Sequence, residues 1–290
     1  MVQQGAASVT ARAPGARLFL GAEAEDADLD FAQGQVSVRT FRSPGKETNN
    51  EDSAAVIPFG ANGLVLAVAD GVGGSPGGQQ ASNLAVQTLA DVLARTSPEP
   101  DNLRTAIVDA VEEANRRILD RGRGAATTLV VGELLNGRVR SYHVGDSELM
   151  TVGQRGRIKL RVTPHSPTGF AVEAGLLDED EAVEHDTRHL LFNVIGAPDM
   201  RIEIGTPARI DAYDTVILSS DGLLDNLFVD EIVRIIRSGD LARAADELTG
   251  LALARMAGSD TGPSKPDDLT IILYRLPRRR RGRRGSSSRS

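Results

Sequence analysis

The stretch LVLAVADGVGGSPGG at residues 64–78 places the strongest constraint on how this chain can fold. Its first six residues, 64–69, are apolar, and a short apolar run bounded by turn residues is typical of a buried strand. The run ends at Asp70, and five of the next eight residues are glycine. Because glycine allows positive φ and close approach of the main chain to a bound group, the pattern predicts a carboxylate delivered to the rim of a buried sheet.

The same arrangement recurs in three later segments. They are VRSYHVGD, which ends at Asp146, TVILSSD, which ends at Asp221, and DDLTIILYRL, which begins with Asp267 and Asp268. Strands of one sheet bring their ends together, and carboxylates gathered there repel each other unless a cation lies between them. Carboxylate oxygens are hard ligands that suit Mg²⁺ or Mn²⁺. The sequence therefore predicts a divalent-metal site at the rim of a sheet.

Two nucleotide-binding alternatives fit the glycine-rich stretch less well. A P-loop needs Lys followed by Ser or Thr, and residues 54–95 contain no lysine. A dinucleotide-binding fingerprint needs a third glycine where this chain has Pro76.

Composition and charge exclude several classes of function. The chain has 290 residues and no cysteine, so disulfides, thiolate zinc sites and cysteine nucleophiles are excluded. Residues 1–15 lack the apolar core of a signal peptide, and no apolar run approaches the ~18 residues that span a membrane. We therefore expect a cytoplasmic protein with no membrane span.

The charge is unevenly distributed along the chain. Residues 277–290 contain seven arginines and no acid. The net charge of the whole chain is −7, so residues 1–276 by themselves carry −14. An acidic body is a poor surface for nucleic acid, so we expect nucleic-acid contact only through this tail. We predict a mobile arm at residues 1–34, one folded domain at 35–276 and a disordered tail at 277–290.

The order of predicted elements indicates an α+β protein with antiparallel sheets, because strands and helices come in groups rather than in alternation. Predicted strands cover residues 36–41, 54–59, 64–70, 127–134, 138–144, 149–152, 158–162, 202–204, 215–219 and 269–276. Predicted helices cover residues 79–95, 102–121, 229–237 and 241–256. The Asn62-Gly63 turn predicts a hairpin that places Asp52 and Asp70 on neighbouring strands.

The residues suited to catalysis are few. Cysteine is absent, and no H-E-x-x-H motif occurs among the four histidines. What remains is a set of acids: Glu51, Asp52, Asp70, Asp146, Asp221 and Asp267. Two cations held by such a set would bridge a water, lower its pKa for attack and offset charge on a phosphoryl group. The residues thus predict metal-dependent hydrolysis of a phosphoester.

Six segments in order resemble the motifs of the metal-dependent serine/threonine protein phosphatases (PPM, type 2C), in a bacterial-type form. These segments are NNEDS at 49–53, VADGVGG at 68–74, GAATTLVV at 124–131, VGDS at 144–147, LSSDGLLDN at 218–226 and DDLT at 267–270. The resemblance implies a two-sheet antiparallel β-sandwich with helices on both sides and two Mg²⁺ or Mn²⁺ ions between the sheets. It also implies a phosphoprotein substrate and an opposing Ser/Thr kinase.

The resemblance also implies roles for individual residues. Asp70 would bridge the two ions, the Gly71 carbonyl would bind one of them, and Asp221 and Asp267 would hold the other. The remaining implied roles are those of Glu51 and Asp52, which would contact an ion or its waters, and of Asp146, which with Asp221 would hold a third, weaker ion. Asp52 and Asp70 would thereby position the water that attacks phosphoserine or phosphothreonine. Asp268 stands where the family often has Asn and is not counted as a ligand.

The chain departs from the family pattern at three places. Glu47 aligns with the arginine that often holds the substrate phosphate, which leaves Lys46 as the candidate for that role. Val72 stands where many eukaryotic members have a histidine. Residues 163–190 resemble the variable flap of the family, and EAGLL at 173–177 predicts a short helix there. Because the arginine is missing, an alternative is a catalytically weak or inactive regulatory binding module.

Overall fold

Two antiparallel sheets face each other in the computed structural model, which describes residues 15–72, 77–122, 124–185, 187 and 190–276. The strands are β1 Arg17–Leu20, β2 Ala24–Phe31, β3 Gly34–Phe41, β4 Asp52–Phe59, β5 Gly63–Asp70, β6 Leu129–Leu135, β7 Arg138–Val144, β8 Glu148–Val152, β9 Ile158–Arg161, β10 Glu203–Ile204, β11 Ala208–Arg209, β12 Thr215–Ser219 and β13 Leu269–Arg275. The helices are α1 Gly78–Arg95, α2 Pro100–Arg121, α3 Pro167–Glu173, α4 Glu179–Glu184, α5 Asp221–Leu224, α6 Val229–Ile236 and α7 Leu241–Met256.

The sheets mix strands from distant parts of the chain. The first sheet runs β1-β4-β5-β6-β7-β10, with β11 also paired to β7, and the second runs β2-β3-β13-β12-β8-β9. The β4–β5 hairpin turns at residues 60–62 and places Asp52 directly opposite Asp70, as the sequence predicted. Antiparallel β12 and β13 lie at the centre of the second sheet, with Ser219 opposite Ile271.

Three apolar layers account for the packing of these elements. Leu66, Val68, Leu149 and Leu218 belong to the layer between the two sheets. A second layer lies between the first sheet and helices α1 and α2, and a third lies between the second sheet and helices α6 and α7. Burial of apolar area drives this arrangement. The predicted α+β sandwich with helices on both sides is therefore confirmed.

The predicted mobile arm at residues 1–34 is wrong over the part that the structure describes. Strand β1 pairs with β4 and buries Phe19, while β2 pairs with β3 over eight residues. The acidic residues of β2 misled the prediction because an edge strand buries only one face and can present charge on the other. Residues 1–14, and the predicted tail at 277–290, lie outside the described residues.

The flap also differs from the prediction. Residues 167–173 and 179–184 are helical, whereas residues 174–177 of the EAGLL segment form the turn that follows the first of these helices. Gly175 has φ +68°, a conformation that ends a helix more readily than it continues one. A helix that could span a membrane is absent from the described residues.

The layer between the sheets gives a stability prediction. Leu66 is fully buried there, so Leu66→Ala should lower the free energy of unfolding by about 2–5 kcal/mol through lost burial and a cavity. Leu176→Ala is the matched control because that side chain is 81% exposed. Thermal or urea unfolding of both variants measures the difference, and equal loss in the two would contradict the assigned core.

Candidate metal centre

Four strand ends bring carboxylates together at one edge of the sandwich. Asp52 begins β4 and Asp70 ends β5 in the first sheet, and the two residues are opposite each other. In the second sheet, Asp221 follows β12 and Asp267 precedes β13, which are antiparallel neighbours. Asp146 lies in the turn between β7 and β8, where the chain passes from one sheet to the other. The edge is therefore shared by both sheets.

These residues surround a cleft of about 650 Å³. Most of the predicted site residues line it, namely Lys46, Glu51, Asp70, Gly71, Asp146, Asp221 and Asp267. Asp52 is fully buried next to this cleft. We call Glu51, Asp52, Asp70, Asp146, Asp221 and Asp267 the acidic cluster. The structure thus brings together the acids that were predicted from the sequence, although they are spread over more than two hundred residues of the chain.

Hydroxyl groups of the GAATTLVV segment fix the end of β5. The Thr127 hydroxyl and the Thr128 backbone N–H donate to the Asp70 carbonyl at 2.7 and 2.8 Å. The Asp70 backbone N–H donates to the Thr128 hydroxyl at 3.1 Å, and that hydroxyl also lies 2.6 Å from the Ser147 hydroxyl. These bonds occupy the main chain of Asp70 and hold its carboxylate at the rim of the cleft.

Gly71 is required for a steric reason. A side chain at this position would place its Cβ 2.4 Å from the carbonyl carbon of Gly78 and 2.9 Å from the Glu51 carbonyl oxygen. The Gly71 backbone N–H donates to that Glu51 carbonyl oxygen at 3.1 Å. The glycine therefore lets three segments of main chain meet beside Asp70.

Asp52 is held from the other sheet. The Ser220 hydroxyl donates to Asp52 Oδ2 at 2.7 Å, and the Thr270 backbone N–H donates to the Ser220 hydroxyl at 3.0 Å. Among the described residues, the buried oxygens Asp52 Oδ1 and Asp221 Oδ1 have no hydrogen-bond partner. Because buried carboxylate oxygens need a donor or a cation, these two orphaned atoms fit a divalent metal ion.

The acidic cluster is electrostatically strained. Burial raises the pKa of Asp70 well above its ordinary value, and the charges of Asp52, Asp221, Asp267 and Asp146 raise it further. Burial is also the first cause of the raised pKa values of Asp52 and Asp146. Burial together with Asp221 raises the pKa of Asp267 to about 6. A divalent cation between these groups would relieve their repulsion, which supports the predicted kind of site.

Lys46 and Asp268 organise the loop that precedes β4. Asp268 accepts hydrogen bonds from the backbone N–H groups of Ser43 and Glu51, at 2.8 and 2.7 Å, and from Lys46 Nζ at 2.6 Å. Lys46 Nζ also donates to Glu51 Oε2 at 2.9 Å, while Glu47 is exposed. Asp268 is thus committed to the protein, in line with its omission from the predicted ligands.

Two residues of the site, Lys265 and Asp225, were not predicted from the sequence. Lys265 Nζ lies 3.0 Å from Asp221 Oδ2, 2.5 Å from Asp225 Oδ2 and 3.3 Å from Asp267 Oδ2. Asp225 could have been found, because residues four apart share one face of a helical turn. Lys265 gave no signal, since a single lysine in an irregular loop is usually a surface charge.

Two of the histidines lie behind the turn that carries Asp146. The rings of His143 and His165 stack with their centroids 4.4 Å apart. His165 Nδ1 accepts from the Gly145 backbone N–H at 3.1 Å, and the His165 backbone N–H donates to the Gly145 carbonyl at 2.9 Å. These bonds join the base of the flap to the turn and give His165 a structural role.

The raised pKa of Asp70 leads to a stability prediction. A carboxyl group whose pKa is higher in the folded state makes the fold lose stability as pH rises above the unfolded value of 3.8. In a chelating buffer, Asp70→Asn should therefore unfold at a higher temperature than the wild type at pH ~7, with a smaller gap at pH ~4. Asp109→Asn, on the exposed face of α2, is the matched control. Thermal unfolding at both pH values tests this, and a less stable Asp70→Asn protein at pH ~7 would refute the assigned repulsion.

Comparison with known proteins supports the fold. Residues 44–251 match the family model described as protein phosphatase 2C. The protein phosphatase PhpP of Streptococcus pneumoniae is 30% identical over 239 residues, which cover 80% of this chain and 93% of that protein.

Solved structures give the same result. The serine/threonine phosphatase of S. agalactiae superimposes with a TM-score of 0.72 and 26% identity, covering 83% of this chain and 99% of that one. The catalytic domain of the phosphatase PstP, in complex with two manganese ions, superimposes with a TM-score of 0.67 and 25% identity, covering 83% and 97%. The matched region contains most of the acidic cluster, and the protein belongs to the protein phosphatase 2C family.

Proposed function

We propose that the protein removes phosphate from phosphoserine and phosphothreonine side chains of other proteins in a metal-dependent reaction. The observation that carries this proposal is the complete acidic cluster at the shared edge of the two sheets, with two orphaned carboxylate oxygens. An inactive binding module would not need to keep six acids together at a cost in electrostatic repulsion. The intact cluster therefore favours the enzyme over the alternative of a regulatory binding module.

We infer that the ions are Mg²⁺ or Mn²⁺, since the donors are carboxylates and a carbonyl. Asp70 and the Gly71 carbonyl, with Glu51 and Asp52 close by, would hold ions on the side of the first sheet. Asp221 and Asp267 would hold them on the side of the second sheet. When bound, the ions supply positive charge to the phosphoryl group and acidify water.

The protein then positions the reacting groups. Asp52 and Asp70, fixed by Ser220 and by the threonine hydroxyls, orient the attacking water toward the phosphorus. The cleft lies at the edge of the sandwich, where the phosphorylated side chain of a protein substrate can enter it. No nucleophile of the protein is needed, because the acids act by holding charge and geometry.

The cellular setting is also part of this proposal. A phosphoprotein substrate implies a kinase that phosphorylates the same serine and threonine residues. We propose that the protein acts in the cytoplasm against such a kinase. Any contact with nucleic acid would involve the arginines at 277–290, which lie outside the described residues.

The first test of the function uses phosphopeptides. With Mn²⁺ present, the wild type should release phosphate from phosphoserine and phosphothreonine peptides, and a chelator should abolish the release. Asp70→Asn should lower the rate by several orders of magnitude, because Asp70 is central to the acidic cluster. Asp109→Asn again serves as the control. Release that is insensitive to both the chelator and Asp70→Asn would contradict the proposal.

Lys46 is the proposed contact for the substrate phosphate. Its ammonium group has three N–H donors, of which two point to Glu51 and Asp268. The third remains for an anion in the cleft that Lys46 lines. Arg39, a basic residue of β3, is buried, pairs with Asp28 and Asp246 and does not line the cleft.

Lys46→Ala should therefore raise KM for phosphopeptides more than it lowers kcat, and Lys46→Arg should retain most of the affinity. Steady-state kinetics over a range of peptide concentrations measures both constants. Lys159→Ala is a suitable control, because that lysine also bridges two carboxylates but lies outside the cleft. An unchanged KM in Lys46→Ala would leave the phosphate to the metal ions alone.

A further inference from the structure

Lys265 is the most unusual feature of the acidic cluster. Its ammonium group contacts three carboxylates, those of Asp221, Asp225 and Asp267, at 2.5–3.3 Å. Two of these are proposed metal ligands. A positive charge supplied by the protein thus lies where the acids would otherwise need a cation from solution.

The backbone of Lys265 is tied to the same turn that carries Asp221 and Asp225. The Lys265 backbone N–H donates to Asn226 Oδ1 at 2.9 Å, and Asn226 Nδ2 donates to the Lys265 carbonyl at 2.9 Å. Asn226 is fully buried and also donates to the Gly222 carbonyl, while Arg255 donates to the Asn226 carbonyl. Lysine and carboxylates therefore belong to one rigid unit.

The environment favours the charged form of this lysine. The carboxylates of Asp221, Asp225 and Asp267 surround the ammonium group, and their negative charges stabilise its charged form. The side chain is only 25% exposed, so water screens these interactions weakly.

An ammonium group and a divalent ion compete for the same carboxylate oxygens. Both are positive, so they repel each other strongly at separations of ~3–4 Å. The tethered ammonium is present at every metal concentration, whereas an ion must be recruited from solution. Lys265 therefore supplies the positive charge beside Asp221 and Asp225, on the outer side of the acidic cluster.

We propose that Lys265 is a permanent cation of the acidic cluster and takes the outer position, beside Asp221 and Asp225, that a third divalent ion would need. The inference rests on the metal site proposed above and refines it. The protein then holds its inner ions at Asp70 and its neighbours, and Asp146 takes no part in holding a third.

The test is a count of bound ions that does not depend on catalysis. Wild-type protein and variants are dialysed against increasing Mn²⁺, and manganese per chain is measured by mass spectrometry at saturation. Lys265→Met keeps the length of the side chain and removes its charge. Lys265→Arg keeps the charge. Lys159→Met is the matched control, since Lys159 bridges Asp211 and Asp214 at 2.8 and 2.6 Å and is similarly exposed.

We expect Lys265→Met to bind one more Mn²⁺ per chain than the wild type, and both other variants to match the wild type. If Lys265→Met and the wild type bind the same number of Mn²⁺ ions, the proposal is overturned, even if the variant binds them more tightly. In that case Mn²⁺ would displace the ammonium group in the wild type. An extra ion in Lys265→Arg would also overturn it.

The wild-type count is decisive even if Lys265→Met does not fold. A third Mn²⁺ at saturation would overturn the proposal, and a limit of two would support it. Because no substrate is involved, a protein inactive on phosphopeptides but with the expected counts would refute the proposed function and leave the role of Lys265 intact.

Discussion

Mutual repulsion among carboxylates buried at one edge of the sandwich is the constraint on which the site depends. Burial and the charges of four acids raise the pKa of Asp70, and buried oxygens of Asp52 and Asp221 have no partner among the described residues. Such an arrangement costs folding free energy and is tolerated only because the surrounding sheets are well packed. The apolar layer between the sheets thus stabilises a site that would otherwise spread apart.

Much of the fold follows from the sequence because its strands are short apolar runs ended by turns. The β4–β5 hairpin was predictable from Asn62-Gly63, and with it the pairing of Asp52 and Asp70. Strand β2 was not, because an edge strand with alternating acids has no continuous apolar run. The EAGLL segment has helical composition, yet only its first residue is helical, because Gly175 ends the helix. Edges and turns depend on partners that lie far away in the chain.

In the candidate site, too, some residues could be predicted from the sequence and others could not. Acids at strand ends could be singled out because a buried strand that stops at aspartate is unusual, and the sheet order then brings Asp146, Asp221 and Asp267 to Asp70. The cations could not be predicted in this way. Lys265 reaches the cluster only through the fold of an irregular loop clamped by Asn226. The role of Asp268 as an acceptor for Ser43, Lys46 and Glu51 also needed the three-dimensional contacts.

The acids and the lysines of the site lie in different parts of the fold, which has a consequence for how the site can change. Most of the acids are fixed at the ends of strands, so the packing that maintains the fold also maintains their positions. The two lysines of the site, Lys46 and Lys265, lie in loops outside the strands and helices of the described residues. A single substitution of either lysine would therefore change the positive charge beside the ions or the substrate phosphate. The strands that fix most of the acids would keep their packing.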